Sequence, residues 1–322
     1  MNFPMKYLIP LQAALMVSAH AAGPGNTNDF RGKRVLIIGI DGLLPSALKA
    51  AGTTHLRQLM DEGTTTFTGH SGGTPGTPTE QPTLSGPAWT TMMTATYADV
   101  HGVRGNTSSP YGTPGGYQVE RAPHFAKRLK EIKPTASVGS IASWGWIEDY
   151  LVAAQPSAFD LHSKGEGKNY AEKDLDVSRK SVDCLLGGNP DVLFVHFDQV
   201  DGAGHASGFK VDNPTYLEAV RVVDTHVGAL LAALKKRPRY ALEDWLIIAT
   251  TDHGGTSGGA HGGQSPEERT IFIILSGGGY PKGQVVESKP GLHVIPGITF
   301  RHLGMPVEPR WEWHSEPSDG TR

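Results

Sequence analysis

Cysteine is almost absent: Cys184 is the only one in 322 residues. A lone thiol cannot close an internal disulfide, and thiolate metal clusters and Cys-x-x-Cys redox chemistry are excluded with it. Charge is sparse at 19% of residues and nearly balanced at a net −3, so a general nucleic-acid binder is excluded as well. Beyond the first 22 residues, no apolar run reaches the roughly 18 residues that a membrane span needs. Two catalytic signatures are also missing. The Gly-rich stretch Gly254–Gly263 lacks the Gly-Lys-Ser/Thr ending of a phosphate-binding P-loop. The chain has no Gly-x-Ser-x-Gly elbow, which argues against a Ser-His-Asp hydrolase.

What is present is a globular composition rich in turns. Apolar residues make up 38% of the chain. The 41 glycines and 23 prolines stay below the roughly 25–30% that marks low complexity. Met1–Ala22 is expected to be an export signal. Lys6 supplies the charged start, residues 7–17 the apolar stretch, and Ala19-His20-Ala21 the small-x-small cleavage site. Residues 23–322 are then expected to form a single domain, exported to a periplasm or secreted. The absence of disulfides fits a bacterial periplasm. No linker or repeat divides the chain. The irregular segment 69–86 is expected to be a surface loop or a flap over a site.

Four apolar runs read as strands buried on both faces: 34–40, 192–197, 245–250 and 270–275. Helices are expected between them, over 125–132, over 171–186 and from Asn213-Pro214 to Pro238. In the last, Asn213 is the N-cap, and Leu217, Val220, Val223, Val227, Leu230 and Leu234 recur at helical spacing. This alternation predicts an α/β fold: a doubly wound, mostly parallel central sheet with helices on both faces.

In such sheets ligands bind outside the carboxyl ends of the strands. Three of the four runs end at or next to carboxylates: Asp41, Asp198 with Asp201, and Asp252. Acids converging on one edge repel each other unless cations lie between them. Histidines accompany them. His205 follows Asp201 by four residues, His253 follows Asp252 directly, and His261 lies in a glycine-rich turn. Mixed oxygen and imidazole ligands suit zinc or a similar first-row metal. The other histidines, including His101 and His196, are read as structural. Ser85 stands at a helix start with Pro87 in the first turn. That position fits an N-cap, and it also fits a nucleophile beside a divalent cation.

These segments together resemble the alkaline phosphatase superfamily, and within it the nucleotide pyrophosphatase/phosphodiesterase branch. The order is Ile40-Asp41-Gly42, Ser85-x-Pro87 to Thr94, His101-Gly102-Val103-x-x-Asn106, Asp201-x-x-Gly204-His205, Thr251-Asp252-His253-Gly254 and His261-Gly262. The resemblance implies two divalent cations, zinc foremost. Asp41, Asp252, His253 and the Ser85 oxygen would hold one, and Asp201, His205 and His261 the other. It implies that Ser85 attacks phosphorus and forms a phosphoseryl intermediate, with Asn106 donating to a phosphoryl oxygen. The expected substrate is a small-molecule phosphate ester.

The chain departs from that branch in three places, one of them Thr94-Ala95 where the branch has Thr-Gly after the nucleophile helix. The branch usually has Thr where Ser85 stands, and a long insertion where only eight residues separate His253 from His261. A phosphomonoesterase is therefore the main rival reading. A sulfatase is a further one, because Ser85-Gly86-Pro87-Ala88-Trp89 falls in the sulfatase register with Trp89 replacing its Arg. A phosphomutase or an inactive binding protein on the same scaffold are the others.

Overall fold

The computed structural model describes residue 30 and residues 32–314. The expected export signal lies outside the described residues. Eight strands join one sheet: β1 (Lys33–Ile40), β2 (Gly63–His70), β3 (Val138–Ala142), β4 (Leu161–Lys164), β5 (Val192–Phe197), β6 (Asp244–Thr250), β7 (Thr270–Gly277) and β8 (Gln284–Val286). Their order is β4-β3-β5-β1-β6-β7-β2-β8. From β4 to β6 every neighbour is parallel. Strand β7 runs antiparallel to both β6 and β2.

The helices are α1 (Pro45–Ala50), α2 (His55–Asp61), α3 (Ser85–Thr94), α4 (Ala98–His101), α5 (Phe125–Ile132), α6 (Tyr170–Gly187), α7 (Gln199–Ser207), α8 (Pro214–Lys235), α9 (Pro266–Arg269) and α10 (Val294–Leu303). The period-two alternation of the central strands sorts them into two layers. On β1, Val35 and Ile37 join a core with Trp89 and Met92 of α3, Phe125 of α5 and Phe300 of α10. The intervening Leu36, Ile38 and Ile40 join a second core with Leu48, Leu59, Val177 and the apolar stripe of α8. The sheet is therefore doubly wound and mostly parallel, as the alternating runs predict.

Helix α8 shows how the local sequence sets an element. The Asn213 side chain accepts hydrogen bonds from the N–H groups of Thr215 and Tyr216, and Pro214 occupies the first turn, where its missing N–H is harmless. Val220, Val223, Val227, Leu230 and Leu234 are all buried along one face. Each contributes roughly 1.5–3 kcal/mol relative to an exposed side chain.

Segment 69–86 spans the end of β2, a loop and the first residues of α3. Its flanks are tied to the 262–269 region: Ser71 N–H donates to the Arg269 carbonyl at 2.8 Å, and Thr83 Oγ1 donates to the Gly263 carbonyl at 2.8 Å. Only the tip, residues 74–78, is exposed throughout.

Candidate metal centre

Strands β1, β5 and β6 lie side by side, so their carboxyl ends bring residues 41, 198 and 252 to one edge. Asp41 N–H donates to the Phe197 carbonyl at 2.9 Å and extends the sheet by one residue. Gly42 then turns with φ +63°. Its N–H donates to Asp252 Oδ1 at 3.2 Å. A side chain at Gly42 would place Cβ 2.7 Å from Asp201 Oδ1, so only glycine lets the two acidic segments come this close.

Helix α7 follows β5 and carries Asp201 and His205 one turn apart. His205 Nε2 lies 3.2 Å from Asp201 Oδ2. After β6, Asp252 and His253 are wholly buried, with Asp252 Oδ2 3.3 Å from His253 Nε2. His253 Nε2 also lies 3.3 Å from Asp41 Oδ1. His261 stacks on His253 with ring centroids 3.8 Å apart, and its Nε2 is 3.0 Å from His205 Nε2. The seven residues expected at the site thus meet in one place. Ligand atoms of Asp41, Asp252 and His253 all lie within 4.8 Å of one another, as do those of Asp201, His253 and His261.

Ser85 departs from the simplest expectation. Leu84, not Ser85, is the N-cap of α3, and no side chain of Leu84 caps the helix. Ser85 Oγ instead points into the cluster, 3.4 Å from Asp41 Oδ1 and 3.2 Å from His253 Nε2. Asn106 supplies a cap in its place, its Oδ1 accepting the Gly86 N–H at 2.8 Å. With that oxygen engaged, Nδ2 is the group Asn106 has to offer as a donor. Gly86 is tightly enclosed: a Cβ there would lie 2.5 Å from the Gly105 carbonyl oxygen.

The donor set fits divalent cations. His205, His253 and His261 each engage Nδ1 with a backbone carbonyl, at 2.8, 2.8 and 2.9 Å. A carbonyl only accepts, so Nδ1 carries a proton, and Nε2 is the nitrogen each neutral ring would present to a cation, as in metal-ligating imidazoles. Two such nitrogens of neutral rings 3.0 Å apart cannot satisfy each other. Asp201 Oδ1 and Asp252 Oδ2 are buried with no hydrogen-bond partner. Cations between these atoms would satisfy both sets.

Charge states without cations show the same tension. Burial raises the Asp252 carboxyl well above the usual range, and the Asp41 and Asp201 charges raise it further. Burial pushes Asp41 upward too. Hydrogen bonding from His196, the charges of His253 and His196, and the Trp89 indole outweigh it and hold Asp41 well below the carboxylate range. His205 is pushed up to about 9, first by its hydrogen bond to Asp201. His261 moves down through burial and the neighbouring His253.

Three residues at the site escaped the sequence reading. His196 and Trp89 contact Asp41 directly, at 3.1 and 2.9 Å. Asp198 directly follows β5. It joins Asp41 and His196 in a third close group. The available signal was a histidine inside an otherwise apolar, doubly buried strand. A cleft of about 710 Å³ opens over the cluster, lined by Ser85, Asn106, Trp144, Tyr170, Asp198 and His261 among others, with no Lys or Arg in its wall among the described residues. Arg104 is exposed and donates to the Glu80 carbonyl at 3.1 Å.

Comparison with known proteins bears on the fold and on the family. Murine ectonucleotide pyrophosphatase/phosphodiesterase 5, solved as an inactive variant with AMP, superimposes with a TM-score of 0.60 at 14% identity, covering 86% of this chain and 96% of that one. A putative sulfatase from Bacteroides thetaiotaomicron gives 0.69 at 15% identity, covering 88% and 74%. A phosphonate monoester hydrolase from Silicibacter pomeroyi gives 0.61 at 17% identity, covering 89% and 78%. These likenesses establish an alkaline phosphatase-like fold. In sequence, the catalytic subunit of human GPI ethanolamine phosphate transferase 2 is 28% identical over 123 residues, which are 38% of this chain and 12% of the transferase. The 2,3-bisphosphoglycerate-independent phosphoglycerate mutase of Rhodopseudomonas palustris is 24% identical over 140 residues, 41% of this chain and 25% of the mutase. The matches therefore span a quarter or less of these two relatives. The family model for type I phosphodiesterase/nucleotide pyrophosphatase matches residues 35–268, from the first strand past the last histidine of the cluster. By that match the chain belongs to the type I phosphodiesterase/nucleotide pyrophosphatase family.

Proposed function

We propose that this protein is a two-metal phosphodiesterase with Ser85 as its nucleophile. The observation that carries the reading is the aim of the Ser85 side chain. It starts α3 without capping it and lies within 3.4 Å of both Asp41 and His253. One cation would be held by Asp41, Asp252, His253 and Ser85, the other by Asp201, His205 and His261, with zinc the best match to these ligands. The bound cations would lower the proton affinity of the Ser85 hydroxyl and of a water, and offset the charge of the phosphoryl group.

Ser85 Oγ forms a bond to phosphorus as the bond to the leaving alkoxide breaks, and the alkoxide leaves as the alcohol after taking a proton. Water then attacks the phosphoseryl group, and Ser85 regains its proton. The α3 N-terminus adds its positive end to the site. Asn106 Nδ2 would donate to a non-bridging oxygen of the substrate.

A diester is favoured over a monoester by the cleft wall. A monoester carries one more negative charge, and among the described residues no Lys or Arg lines the cleft; the nearby Lys173 ammonium lies over the Tyr170 ring instead, 5.1 Å from its centroid. The exposed Arg104, bonded to the Glu80 carbonyl, does not supply that cation. The sulfatase reading weakens because Trp89, in the register of the sulfatase Arg, is buried against Asp41. The segment 69–86 would act as a flap only at its exposed tip, since its flanks are tied down. Export rests on the pattern of residues 1–22. Among the described residues no helix is long and apolar enough to cross a membrane.

The test is a panel of aryl phosphodiester, phosphomonoester and sulfate ester, assayed with metal-stripped and zinc-reloaded protein. The reading expects zinc-dependent turnover that is fastest on the diester. Faster turnover of the monoester would favour the phosphatase, and zinc-independent turnover would remove the two-metal mechanism.

A further inference from the structure

Asp41 is the carboxylate on which the buried half of the site depends, and its second oxygen faces away from Ser85. That oxygen, Oδ2, accepts two hydrogen bonds: from the Trp89 indole at 2.9 Å and from His196 Nε2 at 3.1 Å. All three side chains are wholly buried. The indole and imidazole meet edge to face with centroids 5.0 Å apart, so each limits the other's rotation. A side chain at Gly39 would place Cβ 2.5 Å from the Trp89 ring, so the ring lies flush on β1. The register Gly39↔His196 between β1 and β5 then sets the imidazole beside the Asp41 carboxylate.

We propose that Trp89 and His196 are positioning residues. Together they hold Asp41 Oδ2 and so fix Oδ1 toward Ser85 and His253. The inference rests on the reading that Asp41 holds a cation. An ionised carboxylate only accepts, so His196 donates from Nε2 and its Nδ1 is left buried without a partner. That arrangement sacrifices one nitrogen's hydrogen bonding to place the other. With one oxygen taken by two donors, Oδ1 is the oxygen that Asp41 would offer a cation.

The same place admits a rival occupant. Asp41, His196 and Asp198 bring ligand atoms within 4.8 Å of one another, and Asp198 Oδ2 is buried without a partner. Of the atoms a third cation could use there, Asp41 Oδ2 and His196 Nε2 are already spent on each other and on Trp89. The geometry therefore favours a hydrogen-bonded clamp over a third ion.

The experiment is a competitive chelator titration of zinc on the full-length wild type and on His196→Leu, His196→Gln and Trp89→Phe. Total bound zinc and magnesium are measured alongside, and so is the melting point of the metal-free proteins. We expect wild type to bind two zinc ions. His196→Leu and Trp89→Phe should each weaken the tighter site by about 10–100-fold. His196→Gln should restore most of the loss, because its amide nitrogen reaches the place of Nε2. A structural role alone would lower the metal-free melting point in all three variants and leave zinc affinity unchanged, which would overturn the proposal. A third ion in wild type that is lost in His196→Leu would overturn it too. If His196→Leu does not fold, Trp89→Phe decides, because it keeps an aromatic ring in the core and removes the indole N–H donor. Fewer than two ions in wild type would overturn the two-metal reading, whereas two ions with unchanged affinity in folded variants would overturn the clamp alone.

Discussion

The two halves of the proposed metal centre are built from the same residue types in opposite settings. Asp41, Asp252 and His253 come from the ends of two adjacent central strands and have no exposure to solvent. Asp201, His205 and His261 come from a helix and a glycine-rich turn at the cleft wall, and the His205 side chain is 48% exposed. The first half is held by β1, β6 and the donors behind Asp41. The second is held by one helical turn and the carbonyls of Gly259 and Thr83. The proposed catalysis uses both kinds of support: one half fixed by the sheet, where the proposed nucleophile Ser85 is aimed, and one half open enough for water and a leaving group to pass.

The largest expected effect comes from Ser85, which joins the buried half to the cleft. Ser85→Ala should remove turnover of an aryl phosphodiester while leaving the metal-free melting point and most of the bound zinc intact. Retained turnover would mean that water attacks directly. Next come the ligands themselves. Asp41→Asn should empty the buried half and disturb the other through shared packing, whereas His205→Ala should remove one ion and leave the buried one. Elemental analysis distinguishes these patterns, and equal losses from both variants would erase the contrast between the halves.

A smaller effect is expected at the cleft. Asn106→Ala should lower kcat/KM on the diester by about 10²–10³-fold, the range for one lost oxyanion donor. Bound zinc should not change. Because Asn106 Oδ1 also accepts the Gly86 N–H, the stability should fall by the amount typical of a lost helix cap, about 1 kcal/mol. A loss of stability with an unchanged rate would leave Asn106 as a cap only.

The smallest effect concerns a buried acid outside the cluster. Glu148 is 3% exposed, and burial pushes its carboxyl up to about 8 against a Ser140 hydroxyl bond that pulls the other way. Asp41, equally buried, goes the opposite way because imidazole and indole donors face it. The folded protein keeps the Glu148 proton that the unfolded chain releases above its ordinary value of 4.5. Its contribution to stability is therefore full at low pH and is lost as pH rises from about 4.5 through about 8. Glu148→Gln should flatten the metal-free melting curve over that window. An unchanged slope would show that Glu148 is ionised in the fold.

The acids at strand ends were legible because burial on both faces makes a parallel strand an unbroken apolar run, and the run stops where the acid begins. Asp201 and His205 were legible from their one-turn spacing. His196 and Trp89 were not, because their meeting at Asp41 depends on which strand lies beside β1 and in what register. Strand β2 was missed for a different reason. Its run Gly63–His70 is rich in threonine, and Thr64 and Thr66 are buried with their hydroxyls donating to the carbonyls of Pro281 and Ser288. Polar side chains satisfied in this way leave no hydrophobic pattern to read.

The claim that this edge of the sheet is a two-cation centre is tested most directly by an anomalous-scattering map of the zinc-soaked protein at the zinc absorption edge. The account predicts two peaks, one among Asp41, Asp252, His253 and Ser85 and one among Asp201, His205 and His261. A single peak, or zinc bound anywhere else, would contradict it.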